Sequence, residues 1–168
     1  MLVHRLSDGQ QVVIRPISPD DKWRLQEGLK RLSLETVRRR FLAAKPSFSS
    51  AELRYLTEVD GVNHIALVAI SPTTGSLVAS ARAVRMPDRP DTAEWAIVVA
   101  DPLQGKGLGS RLMQALVDEA RAAGIHRFSA LMAGDNVAVR KLLAHVAERF
   151  ESDVISHGVR EVVVDLAA

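Results

Sequence analysis

The chain has 168 residues, of which 47% are hydrophobic and 25% charged, the length and balance of one globular domain over residues 1–168, which excludes disordered and fibrous architectures. A net charge of +2 with 4% aromatic residues provides neither the electrostatic footprint nor the stacking platforms of a nucleic-acid-binding protein. The lack of cysteine excludes disulfides, thiolate metal ligands and a cysteine nucleophile, while the absence of a signal segment or a long apolar run argues against a membrane association and makes the cytoplasm the expected location.

Gln11 to Pro16 reads as a short outer strand preceded by an Asp8-Gly9 turn signal. Ser18-Pro19-Asp20-Asp21 starts a helix running to about Arg31, with Ser18 as cap, Pro19 in the first turn and two aspartates at the positive end. Further helices are predicted over Ser33 to Phe41 and from Ser50 to about Thr57, separated by the Lys45-Pro46 break. His64 to Ile70, Ser76 to Val84 and Thr92 to Ala100 then form three strands with short connections, which favours an antiparallel meander.

From Leu108, apolar residues recur at helical spacing until Gly124 ends the helix. Arg127 to Ala133 returns as a strand after this crossover, so it is expected to lie parallel to the strand that precedes the helix. Asp135-Asn136 caps another helix, with Val139, Leu142, Leu143 and Val146 on its apolar face. A hairpin of Phe150 to Ile155 and Val159 to Leu166, turning at His157-Gly158, closes the chain.

The chemistry centres on Gln104-Gly105-Lys106-Gly107-Leu108-Gly109-Ser110, between a strand and a helix. A glycine-rich turn entering a helix leaves backbone N–H groups free at the positive end of the dipole, a natural seat for phosphate. A Walker loop fails because Gly107 follows Lys106 where Ser or Thr is required. A dinucleotide fingerprint fails because the glycines stand at the first, third and fifth positions, with Ser110 at the sixth.

The remaining pattern, Gln104-x-x-Gly107-x-Gly109 after a strand, followed by a parallel strand and a helix opened by Asn136, resembles the GNAT acetyltransferase superfamily over nearly the whole chain. Ile14-Arg15-Pro16, Arg31-Leu32-Ser33, Arg40-Phe41, Glu58-Val59-Asp60 and Ala93-Glu94 are more narrowly similar to the catalytic domain of Pat-type bacterial protein lysine acetyltransferases. The resemblance implies an α/β (α+β) fold: a mixed, mostly antiparallel sheet of six or seven strands flanked by helices, with one parallel pair at the cofactor site.

It also implies transfer of an acetyl group from acetyl-CoA to a primary amine in one ternary complex, the acceptor being a protein lysine or a small molecule. A homodimer is compatible with the resemblance. A non-catalytic acyl-CoA sensor is the alternative. In such a family Gln104, Gly105, Lys106, Gly107, Leu108, Gly109 and Ser110 hold the pyrophosphate. Ile97, Val98 and Val99 line the pantetheine, with a backbone N–H polarising the thioester carbonyl, and Asn136 adds a polar contact.

Glu94 is the expected general base, since an amine with a pKa of about 10.4 must lose a proton before it attacks; the competing reading is a solvated strand glutamate. The tyrosine usual in the family, seven residues after the helix-starting Asn, is replaced by Leu143. His145 reads as a surface or packing residue. Arg38-Arg39-Arg40 reads as the wet face of a helix, or as an attractor of an acidic acceptor or the cofactor's other phosphate. Asp101-Pro102 reads as a turn. His4 and His64 have no spacing partner, so no metal site is assigned.

Overall fold

The computed structural model describes residues 2–167. Its order is β1 (Leu2–Arg5), β2 (Gln11–Pro16), α1 (Lys22–Lys30), α2 (Leu34–Phe41), α3 (Ser50–Thr57), β3 (His64–Ile70), β4 (Leu77–Met86), β5 (Arg89–Val99), α4 (Leu108–Ala122), β6 (Arg127–Ala133), α5 (Val137–Val146), β7 (Ala147–Ser156) and β8 (Val159–Leu166). The strands form one sheet in the order β1-β2-β3-β4-β5-β6-β8-β7. All neighbours are antiparallel except β5 and β6. This is the mixed α/β fold that the element order implies.

The unbroken apolar run of β3 follows from its position in the middle of the sheet, covered on both faces. Ile65, Leu67 and Ala69 join one core with α4, while Ala66, Val68 and Ile70 join a second with Leu25 and Leu29 of α1 and Val37 of α2. Ala79, Ala81 and Ala83 of β4 contribute to the α4 side. Small side chains there let α4 approach the sheet with Leu112, Met113, Leu116 and Ala120, all without exposed surface.

The eight strands exceed the expected six or seven, and β2 is the second strand rather than an outer one. Four residues with largely exposed side chains form β1 and carry no period-2 signal. The Asp8-Gly9 signal marks its hairpin, in which Gly9 adopts φ +88° and Gln10 N–H donates to Asp8 at 3.0 Å. Helix α5 passes into β7 with no intervening residue, and β7 pairs with β8 through two register shifts, between Ala147 and Arg149 and between Phe150 and Ser152.

The predicted first helix divides into a single 3₁₀ turn, Pro19–Asp21, followed by α1. Asp21 is more than a dipole complement. Its side chain is fully buried and takes a two-pronged bond from Arg15, 2.7 Å on each oxygen, a bond from Arg24 at 3.1 Å and one from Ser18 N–H at 2.9 Å. Burial pushes the Asp21 carboxyl up, and these donors outweigh it and hold it below the ordinary carboxylate range.

Removing one partner of such a pair strands the other charge, so Asp21→Ala is expected to cost about 3 kcal/mol in urea denaturation at neutral pH. The folded carboxyl is the stronger acid, so this contribution is complete above the ordinary aspartate range and is lost as the pH falls below that range through the depressed pKa of the folded carboxyl. Wild type and variant should therefore converge in stability as the pH falls below the ordinary aspartate range; a constant difference would assign the loss to packing instead.

Candidate functional site

The parallel pair β5 and β6 is joined at only three positions, Thr92 with Arg127, Ala93 with Phe128 and Glu94 with Ser129. Beyond Glu94, β5 remains bonded to β4 as far as Val99, and β6 remains bonded to β8 as far as Ala133. The two strands therefore diverge, leaving Trp95 to Val99 and Ala130 to Ala133 as facing edges of a wedge. Helix α2 lies against both strands. Arg39 Nε and Trp95 Nε1, on residues that line the wedge, are buried and have no hydrogen-bond partner among the described residues. Buried donors without partners are costly, and a guest presenting carbonyl oxygens here would satisfy them.

The wedge opens into a cavity of about 320 Å³ bounded by Ile97, Val98 and Val99, by the glycine-rich loop, and by the start of α5 from Asn136 to Leu142. Ligands of open sheets with parallel strands gather at such strand ends. Gly105 and Gly107 take φ +75° and +88°, which side-chain-bearing residues rarely adopt. Among the described residues, the backbone N–H groups from Gly105 to Ser110 donate to no protein group. They stand at the N-terminus of α4, whose 15 residues add a substantial dipole. A diphosphate fits this donor set.

Of the predicted cofactor residues, Ile97, Val98, Val99, Gln104, Gly105, Gly107, Gly109, Ser110 and Asn136 line this cavity. Lys106 and Leu108 do not. The Lys106 ammonium bonds Asp8 at 2.7 Å and holds that carboxyl down at about 2, which ties the loop to the β1–β2 turn, and Leu108 is core. Gln104 Nε2 donates to the Val99 carbonyl at 3.0 Å and thereby fixes the loop to the strand end. Gly109 has ordinary helical geometry; a Cβ there would meet Leu142 Cδ1 at 3.2 Å, so this glycine serves the close approach of α4 and α5. Asn136, 8% exposed, caps α5 through Val139 N–H at 3.3 Å.

Glu94 is exposed and occupies the last paired position at the apex of the wedge, on the face of β5 shared with Ala96 and Val98. Its side chain is outside the lined cavity. Leu143 is fully buried in the core, and His145 is exposed. Only Arg38 of the arginine run is a wet residue, paired with Asp135 at 3.2 Å; Arg39 and Arg40 are partly buried and line the cavity.

Asp101 does more than turn the chain: its carboxylate accepts the Ser33 N–H at 3.0 Å and the Ser33 and Thr36 hydroxyls at 2.7 Å each. It thus fastens α2 beside the loop. The Ser33 capping position was the available signal for this contact. Thr36 and Lys141 also line the cavity, with no sequence pattern to mark them. No cluster of three metal-ligating side chains occurs among the described residues, nor does any helix long and apolar enough to cross a membrane.

Gly107→Val forces the loop out of its left-handed geometry. It is expected to raise the Kd for acetyl-CoA at least tenfold, roughly one pyrophosphate contact's worth of charge-assisted bonding, in isothermal calorimetry. An unchanged Kd would show that the loop amides are not the contact.

The acetyltransferase (GNAT) family matches residues 34–147. Acetyltransferase Pat from Mycolicibacterium smegmatis is 38% identical over 135 residues, which is 80% of this chain and 40% of that protein, so the chain spans less than half of its length. Acetyltransferase PA5475 from Pseudomonas aeruginosa is 33% identical over 156 residues, 90% of this chain and 83% of that protein. The crystal structure of the GNAT domain of S. lividans PAT superposes with a TM-score of 0.86 at 29% identity, covering 98% of this chain and 96% of that one. The split parallel pair and the amide-lined loop thus sit in a shared framework, and the chain belongs to the GNAT family of acetyltransferases.

Proposed function

We propose that the chain moves an acetyl group from acetyl-CoA to a primary amine by direct attack in a ternary complex, in the cytoplasm. The observation that carries this reading is the meeting of two unsatisfied backbone surfaces in one cavity: the amides of Gly105 to Ser110 and the open edge of β5. A pyrophosphate joined to an amide-containing arm matches both at once. The loop amides would take the pyrophosphate. The arm would lie along Ile97 to Val99 in the manner of an added strand, bonded through the main chain.

Attack by the amine nitrogen on the thioester carbon forms the C–N bond and breaks the C–S bond, and the proton leaving nitrogen needs an acceptor. Glu94 fits that role by position, at the wedge apex beside the thioester-lining segment. Its carboxylate forms no ion pair or hydrogen bond with the described residues, so its oxygens are free to accept directly or through water. A backbone N–H of the open β5 edge would stabilise the charge that develops on the carbonyl oxygen. With Leu143 in the core no side-chain hydroxyl stands at that helix position, and the thiolate would leave without a protein acid there. The absence of cysteine agrees with transfer that forms no thiol-linked acyl-enzyme.

Glu94→Gln is expected to lower kcat/KM on the order of 100-fold near neutral pH, with partial recovery at high pH as free amine accumulates. Its Kd for acetyl-CoA should stay within a factor of about two, since the loop and the β5 edge are untouched. A pH–rate profile that overlays on wild type would move the base away from Glu94.

A further inference from the structure

A second cavity, of about 80 Å³, lies on the sheet face covered by α1, α2 and α3. This is several times the room a single water needs. Leu25, Leu29, Phe41, Phe48 and Leu56 give it apolar walls, yet Arg40 and Arg82 line it as well. Arg82 is only 6% exposed. Its Nη1 donates to the Leu56 carbonyl at 3.2 Å and to His64 Nε2 at 2.9 Å. His64 acts as acceptor because burial, with the adjacent Arg82 charge, holds its pKa at about 4 against the opposing pull of Asp60.

Two guanidinium groups lining one small, largely apolar cavity are expected to have an acid between them. Among the described residues neither has one. Burial and the Arg40 charge push the Arg82 pKa down against an opposing pull from Tyr55, and the side-chain partner Arg82 does have, His64, is neutral rather than an acid. Arg40 stacks on the Phe41 ring at 4.7 Å and makes no hydrogen bond or ion pair, and burial lowers its pKa too. A pair of like charges with no carboxylate partner, Arg82 buried and Arg40 partly buried in an apolar pocket, suits an anion with an apolar body, held by forked guanidinium bonds.

The cavity also adjoins the proposed chemistry. Arg40 and Val98 line both cavities. Arg82 stands opposite Ala96 in the β4–β5 register, and Glu94 is two residues farther along the same face. Diagonal neighbours of this kind lie roughly 7 to 8 Å apart, with their Cβ atoms somewhat closer. An amine bound through an acidic group at the arginines would place its nitrogen on the Glu94 side. A protein lysine would bring a cation toward two cations, and the pocket opposes it.

We propose that this cavity is the acceptor's anion subsite, and that the acceptor is a small amine carrying a carboxylate and an apolar side chain, of the amino-acid class. The inference rests on the acetyl-transfer reading above and adds the acceptor class to it.

The test separates binding from turnover. Isocaproate, the acid without the amine, should bind wild-type protein in calorimetry, while isoamylamine, of the same shape without the acid, should not. Arg40→Met and Arg82→Met should each weaken isocaproate at least tenfold, roughly one charge-assisted contact, with folding followed by circular dichroism. In coenzyme A release assays leucine should exceed isoamylamine in kcat/KM on the order of 100-fold, and phenylalanine should likewise exceed phenethylamine. Equal rates within the pairs, or no isocaproate binding, would overturn the subsite while leaving acetyl transfer intact; this comparison needs only wild-type protein if a variant fails to fold. Failure of every amine, lysine peptides included, to release coenzyme A would overturn the transfer reading and the acceptor class with it.

Discussion

The structure depends on an interruption: the hydrogen-bond ladder between β5 and β6 stops after Glu94 and Ser129. A ladder that stops inside a sheet leaves peptide groups without partners, which a folded chain tolerates only where something else completes them. The pairing of β5 with β4 and of β6 with β8 on either side keeps each strand extended despite the gap. The helices that follow the two strands, α4 and α5, begin at the open end of the wedge. The same divergence thus delivers a helix terminus, a glycine-rich turn and two bare strand edges to one place.

The surrounding packing holds that place open without filling it. Asp101 fastens α2 through Ser33 and Thr36, Gln104 fastens the loop to Val99, and Lys106 fastens it to Asp8. Two cores, one per sheet face, carry the stability; Trp95, Ile97, Ala130 and Met132 of the wedge anchor its strands in the α4-side core while their facing backbone edges stay unpaired. This division explains why side chains of modest chemistry surround the loop. Its free donors belong to the main chain, while polar side chains such as Gln104 and Lys106 act as struts.

Much of this was legible in the sequence because it rests on local constraints. Glycine spacing, helical periodicity and the apolar run of β3 each state their own geometry. Strand β1 escaped because four mostly exposed residues carry no alternation. Burial of Asp21 and Arg82 escaped for another reason: charge in a sequence predicts exposure, and only the tertiary placement of Arg15, His64 and the Leu56 carbonyl reverses it. The arginine run of α2 likewise splits into one wet and two cavity-lining residues because of where the sheet divides, far away in sequence. Glu94 was readable as a strand residue, and its place at the last paired rung was not.

The direct passage of α5 into β7 has a mechanical meaning. A connecting loop works as slack, and between Val146 and Ala147 there is none. Helix α5 walls the cavity with Val139 and Leu142, so any tilt that adjusts the cavity's width is geared to the outermost strand at the far edge of the sheet. The two register shifts between β7 and β8 are the places where that ladder has play. The compliance of the site is therefore placed at a distance, in an edge strand that lines neither cavity.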